Sequence, residues 1–199
     1  MSRIVDHEKR KREILGKALL LFSEQGYSSV TFQKIADDCS ISRTTLYRYF
    51  SDKREILDAS IQNFFTPLIE KLRAISKRKD LPVESRLEKV LMTVVDSLGE
   101  EVLFLERILD YLLRRKSSGE EIGVKIMRHT WKLRLLIQRL LQEGVEKGEF
   151  RSLDLRTTNN LLYSQLETHA LRLVVRENSE KQDTIDVINK ILSGLKAYD

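Results

Sequence analysis

Residues 31–53, TFQKIADDCSISRTTLYRYFSDK, constrain the fold of this chain more tightly than any other stretch. They read as two short helices around a tight turn, followed by the start of a third. Ala36, Ile41 and Leu46 put a small residue in the first helix, an apolar one in the turn and another in the second helix. Helices with that spacing cross closely and expose one face of the second, the geometry of a helix-turn-helix that enters a DNA major groove. The exposed face then carries Arg43, Thr44, Thr45, Tyr47 and Arg48, all able to donate hydrogen bonds to phosphates or base edges.

The rest of the chain is also built for helices. Its 199 residues include two prolines and eight glycines, and no segment alternates with period two for long enough to make a strand. The spacing predicts helices over about 7–25, from Thr31, from Ser42, from Ser51 or Asp52 to about 79, and over about 83–98, 100–116, 119–147, 154–177 and 181–197. Gly99, Gly119 and Gly148 lie at breaks, Asp52 and Glu55 have the spacing of a capping box, and Pro67 should bend the fourth helix. KRKDLP, residues 77–82, reads as a linker.

Composition narrows the class. Hydrophobic content of 41% and charged content of 33% suit a soluble, helix-rich protein. A run of about 18 apolar residues is absent, so no membrane span is expected. MSRIVDHEKRKREIL lacks the apolar segment of a secretory signal. A single cysteine, Cys39, excludes an intramolecular disulfide and fits a reducing cytoplasm. Charge is uneven: residues 1–80 hold 16 Lys and Arg against 11 Asp and Glu, and residues 81–199 hold 19 of each. The net +5 therefore lies with the helix-turn-helix, as in a DNA-binding head on a neutral body. A basic solvated tail is the duller alternative, since KRKR at 9–12 supplies four of the charges.

The pattern T-x-x-x-I-A followed by S-x-x-T-L-Y-x-Y-F-x-x-K resembles the amino-terminal domain of the TetR family of bacterial regulators, from about Arg10 to Leu57. The resemblance implies an all-α fold of about nine helices. Residues 1–52 would form a three-helix DNA-binding domain with a helix-turn-helix, and a fourth helix over about 52–79 would connect it onward. Residues 80–199 would form a helical-bundle domain for effector binding and dimerisation. The family usually has glycine where this chain has Ser40. The turn should therefore carry strain of about 1 kcal/mol or take another shape. By position, the resemblance gives Thr31 a phosphate, Gln33 a base, and Arg43 and Thr44 the deepest reach into the groove. Thr45, Tyr47, Tyr49 and Lys53 take phosphate-clamping roles, and Arg48 faces outward.

In that family the last two long helices pair with those of a second subunit. Two stripes in the sequence fit such a seam: Leu162, Leu166 and Leu173 after Leu155, and Ile185, Ile188, Leu192 and Leu195. The resemblance also implies a small-molecule cavity. Phe104, Ile108, Tyr111, Trp131, Arg134, Tyr163 and His169 are candidates to line it, although aromatics at helical spacing are more often core.

Enzymatic constellations do not stand out. The chain has no Gly-rich phosphate loop, H-E-x-x-H, C-x-x-C or nucleophile elbow, and its three histidines are scattered, so neither a cofactor nor a metal is expected. The sequence thus points to a cytoplasmic, homodimeric, ligand-responsive regulator that binds a palindromic operator, most simply a repressor. An architectural or partner-recruiting DNA-binding protein without a small-molecule effector is the rival.

Overall fold

The structure, a computed structural model, describes the backbone of residues 2–115, 122–175 and 181–197. Within these it describes the side chains other than those of residues 2–6, 23, 110–115 and 122–128. Among the described residues there are nine α-helices: α1 (Ser2–Gln25), α2 (Phe32–Asp38), α3 (Arg43–Tyr47), α4 (Lys53–Ser76), α5 (Val83–Glu100), α6 (Val102–Arg115), α7 (Ile122–Glu146), α8 (Leu155–Val175) and α9 (Lys181–Ser193). The chain divides into two compact units, Met1–Phe65 with Glu106–Ile126 and Thr66–Leu105 with Met127–Asp199. The first division falls inside α4, just ahead of Pro67, whose missing N–H leaves a gap in the helical ladder.

In the first unit α1 packs on α2, and α2 on α3. Ile14, Ala18, Leu21 and Phe22 of α1 are buried, as are Ile35, Ala36, Cys39, Leu46 and Phe50. Gly26 ends α1 with φ 78, a conformation that suits a residue without Cβ. Two α1 cations then hold the far end of α2. Arg10 donates to the Cys39 carbonyl at 2.9 Å and Lys17 to the Asp38 carbonyl at 2.7 Å, satisfying acceptors that a helix C-terminus leaves open. Lys11 lies 5.5 Å from the centre of the Phe50 ring. Part of the KRKR charge is therefore structural rather than free for DNA.

Ser40 settles the question left by the missing glycine. It sits at φ 54, so the turn keeps its left-handed shape and carries the strain. Ile41 N–H reaches back to the Ala36 carbonyl at 3.0 Å and Ser40 N–H to that of Asp37 at 2.9 Å, the bonding of a Schellman cap. At the start of α4, Asp52 accepts from Glu55 N–H at 2.8 Å, and Glu55 reaches back to Ser51 N–H at 2.6 Å.

In the second unit α5 packs against α8 and α9, which pack on each other. Val83, Leu87, Val90, Leu91, Val94, Val95 and Leu98 repeat at helical spacing and are buried. Arg86 is buried with them, at 0% exposure. Its guanidinium donates to the Ser76 carbonyl at 2.8 Å and to both Glu143 carboxylate oxygens at 2.8 and 3.1 Å. Lys79 and Lys147 also pair with Glu143, at 2.7 and 3.0 Å. Arg86 first, then Lys79, hold the Glu143 carboxyl well below its ordinary range, against the opposing pull of burial. Residues 77–82, read as a linker, form the short connection from α4 to α5. The start of α5 is closed by Glu149, which accepts from Val83 and Glu84 N–H at 2.6 and 3.2 Å. The Phe150 ring lies where a Cβ on Gly144 would stand, 2.1 Å from that position, so only glycine admits it.

Three expectations change. The break anticipated at Gly99 falls at Glu101, φ −122 and ψ 34, because an isolated glycine with open space around it can continue a helix. The last helix stops at Ser193 rather than 197. Residues beyond it pair with the α7–α8 loop through Arg151 N–H to the Leu195 carbonyl at 2.9 Å and Ala197 N–H to that of Glu149 at 3.2 Å. The third concerns the seam. Leu162, Leu166, Ile188, Leu192 and Leu195 are buried within their own chain, and Leu173 and Ile185 are half-buried. These stripes contribute to the α5–α8–α9 core of their own chain. Apolar side chains occupy two faces of α8, and leucine spacing alone does not say which is already covered.

Candidate nucleic-acid interface

The reading face is assembled by two short helices with side-chain caps. Thr31 Oγ1 accepts from Lys34 N–H at 3.1 Å to start α2, and Ser42 Oγ accepts from Thr45 N–H at 3.0 Å to start α3. Inward, Leu46 and Phe50 lock α3 down. Outward, Arg43, Thr44, Tyr47 and Arg48 are exposed, with Thr31 and Gln33 on α2 also exposed. Burial and exposure alternate as the sequence spacing requires for a groove-entering helix.

Contacts within this face are more specific than the sequence disclosed. Arg43 Nη2 donates to Tyr47 Oη at 3.1 Å, and its guanidinium lies 5.5 Å from the centre of the Tyr47 ring. That ring packs on Phe32 at 4.7 Å between centroids. Phe32, Tyr47 and Arg43 therefore form a connected series that steadies an exposed guanidinium one helical turn ahead of Tyr47. Gln33 is held too, donating to Asp37 Oδ1 at 2.7 Å. Asp37 has no signature in the sequence beyond its i+4 position. Lys34 is an exposed cation on the same helix.

Three of the phosphate-clamping assignments meet other tasks in the structure. Lys53 donates its ammonium to the Tyr27, Val30 and Ser28 carbonyls at 2.7, 3.0 and 3.3 Å and lies 4.4 Å from the centre of the Tyr27 ring. It ties down the loop between α1 and α2. Thr45 Oγ1 is 2.8 Å from Ser42 Oγ, within the cap of α3. Tyr49 is half-buried, its ring stacked on His7 at 4.6 Å. The reason is common to all three: a side chain near the turn also lies near the carbonyls and rings that hold the turn together.

Among the described residues the effector-lining candidates stand in different settings. Phe104 and Ile108 are buried, and Tyr111 lies outside the residues whose side chains are described. Tyr163 is buried beneath Arg134, whose guanidinium is 4.1 Å from the ring centre and donates to Asn160 Oδ1 at 3.0 Å. His169 is buried against Thr184 Oγ1 at 3.0 Å, and burial pushes its imidazole pKa down. Trp131 is 65% exposed and belongs to a surface cleft with Arg134, not to an interior.

Comparison with known proteins agrees with this geometry. Residues 14–60 match the sequence model of the family described as bacterial regulatory proteins, tetR family. The HTH-type transcriptional repressor KstR2 of Mycobacterium tuberculosis (strain ATCC 25618 / H37Rv) is 27% identical over 146 residues, 71% of this chain and 70% of that protein. The fatty acid metabolism regulator protein of Bacillus subtilis (strain 168) is 25% identical over 193 residues, 94% of this chain and 96% of its own length. A crystal structure of a TetR transcription regulator from Haloarcula marismortui shares the fold at a TM-score of 0.79 and 16% identity, covering 95% of this chain and 99% of that one. The reading face on α2 and α3 lies wholly within the residues that match the tetR family model, and the fold is shared along the chain with a solved TetR transcription regulator.

Proposed function

We propose that the protein is a ligand-responsive transcriptional repressor that binds a near-palindromic operator as a homodimer and leaves it when a small-molecule effector binds the second unit. The observation that carries this is the α3 face, where Arg43, Thr44, Tyr47 and Arg48 stand exposed over a buried Leu46 and Phe50. With Thr31 and Gln33 of α2 they form the proposed DNA contact set. Arg43 is the base-reading residue, since a guanidinium matches the O6 and N7 acceptors of guanine. A two-fold dimer would place two such faces about one helical turn of DNA apart, roughly 34 Å. The effector acts by differential affinity, favouring a state that binds DNA less well.

For the dimer, the proposed surface is the outward seam of α8. Leu161, Leu171 and Val175 are exposed there, the latter two at 54% and 71%, and Ser164 and Thr168 fill the intervening heptad positions. Val187 on α9 is exposed as well. A second copy supplies the matching surface. Leu171→Asp with Val175→Asp should shift the sedimentation of the purified protein from dimer to monomer, and an unchanged dimer would reject this seam.

Two relatives are named for repression or for regulating fatty acid metabolism, which makes fatty acids and their derivatives the first effectors to test. The protein is read as cytoplasmic; among the described residues no helix is long and apolar enough to cross a membrane. The deciding experiment is selection of genomic fragments at fixed salt, followed by sequencing. A recurrent palindrome supports the reading. Diffuse binding that vanishes with salt would leave only a non-specific DNA protein.

A further inference from the structure

Between the end of α4 and the second half of α7 lies an open cleft of about 460 Å³ that DNA reading does not explain. Four cations line it: Arg73 and Lys77 from α4, Lys132 and Arg139 from α7. Among the described residues none of the four is within ion-pair distance of a carboxylate. The one acid in the lining, Glu143, is already matched by Arg86, Lys79 and Lys147. Residues 81–199 are neutral as a whole, so this excess is local. Arg73 and Lys77 lie in or just beyond the last turn of α4, where positive charge complements the helix dipole. That accounts for two of the cations. Lys132 and Arg139 are in mid-helix, two turns apart on one face, and nothing in their own helix calls for them.

Between those two, Leu135 and Leu136 supply an apolar floor. Such a floor lowers the local dielectric and strengthens each charge above it. Two guanidiniums and two ammoniums around a small apolar surface match a phosphate-bearing group better than a lone carboxylate, because arginine pairs with phosphate oxygens bidentately. The volume is that of a small-molecule site.

We infer that this cleft binds an organic diphosphate of nucleotide size, its phosphates on Arg73, Lys77, Lys132 and Arg139 and its apolar part on Leu135 and Leu136. The bound anion bridges α4 to α7. It does so beside the Ser76–Arg86–Glu143 clasp that already joins those helices, so binding stiffens an existing connection. This site stands apart from the proposed DNA contact set and does not depend on it.

The test is calorimetric titration of the full-length protein with ADP and, separately, with inorganic pyrophosphate. The series runs on the parent protein, Lys132→Gln, Arg139→Gln and the control Lys89→Gln, an exposed lysine of α5 outside the cleft. Saturable binding that weakens about tenfold in Lys132→Gln and Arg139→Gln, but not in Lys89→Gln, supports the site. ADP binding more tightly than pyrophosphate supports the organic ligand, and the reverse order would overturn it in favour of a free inorganic anion. Failure of both probes to bind, or equal losses in all three variants, would overturn the site itself. Circular dichroism melts check that the variants are folded. Operator binding, measured without either probe, is the last arm. A loss there in Lys132→Gln and Arg139→Gln would reassign the cleft to DNA phosphates, and unchanged operator affinity keeps it separate.

Discussion

The reading head and the α5–α7 clasp of the second unit are both polar constructions on an apolar core, yet they are wired over different distances. On the reading face the bonds that cap and steady the two short helices are local: Thr31 to Lys34, Ser42 to Thr45 and Arg43 to Tyr47 span three, three and four residues. In the second unit Arg86 reaches Glu143 across 57 residues, and Glu149 caps Val83 across 66. Local wiring leaves a motif in the sequence and keeps the outward side chains free for DNA. Long-range wiring leaves no motif and spends its charges on holding helices together. The two regions should therefore respond differently to substitution.

The largest effect should come from the clasp. Glu143→Gln leaves the fully buried Arg86 without its counter-charge, which should cost about 3 kcal/mol of stability in denaturant unfolding. Hydrogen exchange should quicken in α5 and α7 while α2 and α3 keep their protection. Equal loss in both regions would break the contrast. The same group gives a pH signature. A carboxyl whose pKa is depressed in the fold stabilises above its unfolded value and loses that contribution as pH falls. The parent should therefore weaken progressively below about pH 4.5, and Glu143→Gln should flatten that slope.

In the head, Arg43→Ala should spare stability and cost about 1–3 kcal/mol of operator affinity, relaxing the preference at one base position. A uniform loss across all sequences would make Arg43 a phosphate contact instead. Tyr47→Phe keeps the ring on Phe32 but removes the hydroxyl that holds Arg43. Its expected cost, about 0.5–1 kcal/mol in operator binding, sharpens the claim that α3 is pre-arranged. The smallest effect runs the other way. Ser40→Gly relieves the left-handed strain at φ 54 but frees the unfolded chain, for a net gain of about 0.5 kcal/mol in chemical denaturation.

The seam on α8 illustrates why some of the site was legible and some not. Leu162, Leu166, Ile188 and Leu192 stand out in the sequence as apolar stripes, but a stripe records only that a face avoids water. Whether α5 or a second copy covers it depends on helices far away in the chain. Lys53 makes the same point within the head. Its place in the motif suggested a phosphate, whereas the backbone carbonyls of the α1–α2 loop, 23 to 26 residues earlier, claim its ammonium.

The sequence by itself determined the helices, the capped turn around Ser40 and the outward set Arg43, Thr44, Tyr47 and Arg48, because each depends on neighbours within one or two helical turns. Only the tertiary structure decided which leucines of α8 are buried within the chain and which stay exposed, which lysine is tied to a loop and which four cations meet at one cleft. Those outcomes turn on side chains from distant segments competing for the same charges and the same apolar surface, and no local pattern records who wins.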